Sequence, residues 1–71
     1  MIRTGSKVSW KWGKGTATGT VKDTFDRKIT TTIKGSKITR NGEPGNKALF
    51  IQQENGNEVL KLESEVEHLE Q

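Results

Sequence analysis

Lys7-Val8-Ser9-Trp10-Lys11-Trp12-Gly13-Lys14-Gly15-Thr16-Ala17-Thr18-Gly19-Thr20-Val21 is the stretch that decides the fold, and it holds both tryptophans and three of the eight glycines. Val8, Trp10 and Trp12 fall on one face of a two-residue repeat, with Ser9 and Lys11 on the other, as a half-buried strand requires. Gly13-Lys14-Gly15 interrupts that strand with residues that tolerate positive φ, the chemistry of a tight connection. Ala17, Gly19 and Val21 then alternate against Thr16, Thr18, Thr20 and Lys22 in a run rich in β-branched residues, which makes a second strand. Gly19 reads as a point where a bent strand passes close to its neighbours. Alternation alone leaves open which tryptophan is core. Trp10 is read as architecture, while Lys11, Trp12 and Lys14 are read as surface.

Working outward, residues 28–40 read as a hairpin of their own. Ile29, Thr31 and Ile33 alternate with Thr30, Thr32 and Lys34, and Gly35-Ser36 supplies a two-residue turn with glycine first, as a type II′ turn prefers. That turn sets Ile33 opposite Ile38, Thr32 opposite Thr39, Thr31 opposite Arg40 and Lys34 opposite Lys37, a like-charge pair that directs the tip toward water or an anionic partner. Asn41-Gly42-Glu43-Pro44-Gly45-Asn46 is turn chemistry almost throughout and is expected to be mobile. Ala48-Leu49-Phe50-Ile51 begins a well-buried strand, and Asn55-Gly56 reads as a type I′ turn leading to a strand ending at Leu62. In the tail, Val59, Leu62, Val66 and Leu69 have the spacing of one helix face, which would run from 58 to 70. Against this, Asn55-Gly56 calls for a returning strand, and Ser64-Glu65-Val66-Glu67 resembles a capping box. The favoured expectation is a short helical turn from residue 65 that lays Val66 and Leu69 over an open end of the sheet.

Length and composition bound the rest. Seventy-one residues make one domain, 1–71, of a size whose core supplies only ~3–5 kcal/mol of net stability. The chain has no cysteine, hence no disulfide or thiolate metal site, and a reducing, cytoplasmic setting is expected. The first residues lack the apolar run of a signal peptide, and no stretch reaches the ~18 apolar residues of a membrane span. The net charge of +3 is unevenly spread. Residues 1–42 carry ten Lys/Arg against two Asp, and residues 43–71 carry two Lys against seven Glu. Such polarity makes either a basic binding face or two halves that neutralise each other through cross-strand pairs in one sheet.

Five or so short strands with glycine-rich turns and a C-terminal helical turn give an all-β, small SH3-like or Tudor-like barrel with a projecting hairpin. Gly5-Ser6-Lys7-Val8-Ser9-Trp10, Gly15-Thr16-Ala17-Thr18-Gly19-Thr20-Val21, Thr32-Ile33-Lys34-Gly35 with Ile38-Thr39-Arg40-Asn41, and Asn55-Gly56-Asn57-Glu58-Val59-Leu60-Lys61 follow in order. In this order and spacing they resemble the hypervirulence-associated protein Tudor domain family, from about Gly5 to Val66. Such sequences often carry Asp where this chain has Ser6. The resemblance implies a Tudor-like barrel and no enzymatic activity.

Tudor domains elsewhere hold methylated Lys or Arg in an aromatic cage. Here only Trp10, Trp12, Phe25 and Phe50 are on hand, too few rings once one tryptophan is core. Nucleic acid, or another anionic partner, is the better match. Lys11, Trp12, Lys14, Arg27, Lys28, Lys34, Lys37 and Arg40 form the candidate site, with Lys7 and Lys22 as further phosphate-binding charge and Trp12 placed to stack a base. Binding of this kind is non-specific and salt-dependent. The alternative is a protein–protein adaptor that adds a sheet edge or binds a peptide. A remote third reading is an oligomeric enzyme, after the short SH3-like dihydrofolate reductase that works through a shared tetramer pore, but no matching substrate motif is present. His68, beside Glu67, reads as an exposed helix residue, and Asp23 and Asp26 as turn residues without a metal partner. Gly13-Lys14-Gly15-Thr16 lacks the spacing and following helix of a phosphate-binding loop. No cofactor and no metal are implied, and oligomeric state is left open.

Overall fold

A computed structural model describes residues 2–69. The opening stretch forms β1 (Lys7–Trp12) and the first half of β2 (Gly15–Phe25), which pair antiparallel from Lys7 opposite Thr20 to Trp12 opposite Gly15. β3 (Lys28–Ile33), β4 (Ser36–Asn41), β5 (Ala48–Gln53), β6 (Glu58–Leu62) and β7 (Glu67–Leu69) follow, with one 3₁₀ turn at Glu63–Glu65. Among the described residues the barrel sheet has five strands and the hairpin is a separate two-stranded sheet, as expected, with the tail supplying β7 as the fifth strand of the larger sheet. The larger sheet runs β6-β5-β2-β1-β7.

The two ends of that order, β6 and β7, are drawn toward each other. Laid flat, five strands at ~4.8 Å spacing would hold β6 and β7 about 19 Å apart. They are joined by the single 3₁₀ turn and Val66, a link that reaches only about 13 Å at 3₁₀ and strand rises. The sheet therefore has to curl. Curvature enters along β2, whose first half pairs with β1 and second half with β5, with a register shift between Val21 and Asp23. Gly19 lies where both partners meet β2. A Cβ there would sit 2.5 Å from Ile51 Cγ2 and 2.9 Å from the Gln52 carbonyl oxygen, so the close approach read from sequence is present.

Ile2, Val8, Trp10, Ala17, Val21, Leu49 and Ile51 form the buried cluster, with Val59 and Val66 packed against it. The alternation in β1 and β2 thus faces the core as expected. Ile2 joins it because the Gly5 N–H donates to the Val21 carbonyl and the Val21 N–H to the Ser6 carbonyl, which docks the chain start beside β2. Ser6 Oγ accepts the Arg3 N–H at 3.0 Å, the local turn contact a short acidic side chain would make there.

Three expectations are corrected. The hairpin turn is Lys34-Gly35, not Gly35-Ser36. Both residues have positive φ, 51° and 81°, the type I′ pattern, whose twist suits a two-residue hairpin. Ile33 therefore faces Ser36, Thr31 faces Ile38 and Thr30 faces Thr39. This register lifts Lys34 off the ladder, removes the Lys34/Lys37 opposition, and lets the Thr30 and Thr39 hydroxyls hydrogen-bond at 2.8 Å. The left-handed cost falls on Lys34, about 1–2 kcal/mol for a residue with a Cβ. Lys34→Asn, which supplies the Asn-Gly pair that type I′ turns favour, is expected to stabilise by about 0.5–1 kcal/mol. In thermal unfolding this is a rise in Tm of about 3–6 °C.

Second, Asn55-Gly56 does not form a two-residue turn. Only Gly56 has positive φ (89°), and the Gln53 N–H donates to the Asn57 carbonyl while the Gly56 N–H donates to that of Gln53. This is the three-residue loop of a type I turn followed by a left-handed glycine. It sets Ile51 opposite Val59 and Phe50 opposite Leu60.

Third, the tail is not helical from 65. The Leu62 N–H donates to Glu65 Oε1 at 2.8 Å, which caps the turn at Glu63–Glu65. Residues 67–69 then extend and pair with Lys7–Ser9 of β1, so exposed His68 faces Val8 across a ladder. Pairing satisfies edge groups of β1 that a helix would leave open. Val66 still reaches the core and Leu69 is half-buried. The 41–46 loop, expected to be mobile, is held at several points. Glu43 and Asn46 exchange backbone bonds, Asn46 Oδ1 accepts the Ser64 N–H, and Glu63 Oε1 accepts the Lys47 N–H at 2.7 Å.

Candidate nucleic-acid interface

Trp12 ends β1 just before the Gly13-Lys14 turn, where the strand has run past the core. It is 66% exposed, whereas Trp10 two residues earlier on the same face is 6% exposed. A shallow recess brings Trp12 together with Trp10, Lys11, Gln53, Val59 and Lys61. Lys14 is exposed in the adjoining turn but does not line it. Of the expected site, the structure thus joins Lys11 and Trp12, with Lys14 alongside.

Lys61 and Gln53 were missed. Lys61 sits in the acid-rich half of the chain, where charge counting hides it, and its place beside Trp12 depends on a β5–β6 register that the loop at Glu54-Asn55-Gly56 determines. The alternation of β6 does mark Val59 and Lys61 as sharing one face, which is the signal that was available.

The remaining expected residues lie on or beside the β3–β4 arm. Lys28, Lys34 and Lys37 are exposed, Lys34 and Lys37 at the tip and Lys28 at the base, about 20 Å along the strand. The arm is not free-standing. Ile33 is buried, and Ile29, Thr30 and Thr31 line a recess with Asp23, Phe25, Phe50 and Leu60. Arg27 is exposed and shares a recess with Asp23, Asp26 and Lys47, so acids temper its charge. Arg40 is engaged within the fold: its Nε donates to the Leu60 carbonyl at 3.4 Å, and an Nη lies 4.0 Å from Glu65.

The aromatic rings are divided, Trp10 and Trp12 in one recess, Phe25 and Phe50 in another. They do not converge into one cage. Among the described residues no group of three or more His, Asp or Glu is placed to hold a metal. No helix among them is long and apolar enough to cross a membrane.

A curled sheet that carries an exposed tryptophan beside a lysine-lined recess defines a small, barrel-like all-β domain. The sequence profile described as hypervirulence associated proteins TUDOR domain matches residues 5–66, and the chain belongs to that family. Tudor-like domains are generally non-catalytic binding modules, and the likeness drawn from the Gly5-to-Val66 motifs is the same assignment. Comparison with curated proteins and with solved structures finds no match.

Proposed function

We propose that this domain is a non-catalytic module that binds nucleic acid through its lysines, without sequence preference. The observation that carries the reading is that the lysine charge is left uncancelled across the strand ladders. No Lys or Arg stands opposite an Asp or Glu in any strand register, and the one ion pair among the described residues, Arg40 with Glu65, is long and over one-third exposed on both sides. The bland expectation, that the two halves neutralise each other across the sheet, has no support in this pairing. Residues 27–42 contain no acid, and Lys28, Lys34 and Lys37 are exposed, so these lysines give the arm a positive field suited to phosphates, with Arg27 and Arg40 tempered by neighbouring acids. A cytoplasmic setting belongs to the same proposal.

The test is an anisotropy titration with labelled DNA and RNA at 50 and 200 mM salt. With roughly four phosphate contacts, affinity is expected to fall about 100-fold between those salts and to vary little with sequence. Absence of binding at the lower salt would remove the reading.

A second reading, a protein adaptor, is favoured by the open edge of β3. The Gly42 N–H bond to the Arg27 carbonyl makes residues 27, 29, 31 and 33 the ones that bond toward β4. The N–H and C=O groups of Lys28, Thr30 and Thr32 therefore point away from it and can accept an extended strand. Sedimentation velocity at increasing concentration, with and without oligonucleotide, separates this reading from the first.

A further inference from the structure

We infer that the Trp12 recess receives an unpaired base, so that the ligand class of this domain is single-stranded nucleic acid; this rests on the nucleic-acid reading above and narrows it. The observation is separate from the lysine argument. Trp12 is the one large hydrophobic side chain exposed among the described residues, and Lys11 and Lys61 line its recess together with Gln53. An indole left in water at the end of a strand costs hydrophobic free energy that an aromatic partner recovers, and every base offers a π-face to it.

The rest of the recess fits a nucleotide in parts. The two ammonium groups supply charge for the phosphates on either side of a stacked base. The Gln53 amide can donate and accept, so it can meet any base edge without selecting one. In a duplex both faces of each base are covered by its neighbours, and a ring at a barrel surface has nothing to stack on. The outer face of the β3–β4 ribbon is exposed and is the element that could enter a major groove, so the duplex arm of the test below is what separates the two ligand classes. Lys61 is thereby assigned to the site, and the lysines of the arm extend the phosphate track beyond it.

Tryptophan emission tests this directly, because Trp12 is in water and Trp10 is not. The intact protein is titrated at low salt with a 15-nucleotide oligothymidine, a 40-base-pair duplex and heparin, a polyanion without bases. Oligothymidine is expected to quench the solvent-exposed emission. Trp12→Ala should weaken its binding about tenfold and Trp12→Phe should retain most of it. Lys11→Ala and Lys61→Ala should each lower the salt slope by about 1. The Trp10 emission, unchanged in Trp12→Ala, reports that the variant is folded. The inference is overturned if Trp12→Ala binds oligothymidine as tightly as the parent, or if heparin or duplex quenches as strongly. In either case the charge-based reading survives alone. Failure of all three polyanions to bind overturns both.

Discussion

Gly42→Ala is expected to leave the protein largely unfolded at 25 °C, although the change adds a single methyl group. The φ of Gly42 is not in the left-handed region, so the constraint is space. A Cβ would overlap the Phe25 carbonyl oxygen and lie 2.8 Å from the Ala48 nitrogen and 3.0 Å from the Arg27 carbonyl oxygen. All three are main-chain atoms, at the end of β2, the start of β5 and the turn into β3, and none can rotate aside as a side-chain terminus would. The Gly42 N–H also donates to the Arg27 carbonyl at 3.1 Å, so a shift that relieved the overlap would break the arm's last rung. Overpacking costs about 1–3 kcal/mol where neighbours can yield, and here the cost belongs at or above the top of that range. A core of this size offers ~3–5 kcal/mol in all. Gly45→Ala is the control: it has positive φ, 89°, but nothing within 4 Å, and should lose only the left-handed term of about 1–2 kcal/mol. Urea unfolding followed by circular dichroism measures both. A Gly42→Ala midpoint close to that of the parent would mean that the arm is not seated against β2 and β5 as described.

Gly42 also shows what the sequence could and could not disclose. Among turn-forming neighbours it reads as one more loop residue, and only the convergence of three backbones reveals why a side chain is excluded. Gly19 was legible because it interrupts a strand whose alternation is otherwise clean, and an interrupted pattern asks for a spatial cause. The same contrast separates faces from registers. Shifting the arm by two residues leaves Ile29, Ile33 and Ile38 on the same face, so hydrophobic pattern could not choose between turns at Lys34-Gly35 and Gly35-Ser36. The choice turned on whether Lys34 would tolerate positive φ, which composition does not announce. At the candidate site, Trp12 and Lys11 were readable because they are neighbours in one strand. Lys61 comes to them across β6, β5 and β2, through a loop whose length differs by one residue from the one Asn55-Gly56 suggests.

Leu49→Ala is expected to abolish the cooperative unfolding transition, and the reason lies in the position of β5. Ala48, Leu49, Phe50 and Ile51 are apolar without a break, a pattern that says buried on both faces and leaves the faces unassigned. The structure assigns them. Leu49 and Ile51, each 0% exposed, enter the main cluster with Val8, Trp10 and Val21. Phe50, on the opposite face, lines the recess under the arm with Phe25, Ile29 and Leu60. β5 is thus the wall between the barrel core and the arm, hydrogen-bonded to β2 on one side and β6 on the other. Truncating a fully buried leucine costs about 2–5 kcal/mol, the upper values where surroundings cannot collapse. Leu49 is held on a strand paired on both sides, between β2 and β6, which resists collapse, so the loss meets or exceeds the ~3–5 kcal/mol available to a core of this size. Near-ultraviolet circular dichroism reads the outcome through Trp10, whose fixed environment the cavity removes. Phe50→Ala supplies the contrast, since Phe50 is only half-buried and borders a recess that already exists. It should keep a cooperative transition and the Trp10 signal while loosening the arm, seen as faster amide exchange in β3 and β4 than in β1 and β2. Retention of the Trp10 signal in Leu49→Ala would place the centre of the core elsewhere than between β5 and β1. Lysine positions on the arm depend on the Phe50 face and Trp12 on the Leu49 face, so the two substitutions also separate the two halves of the proposed binding surface.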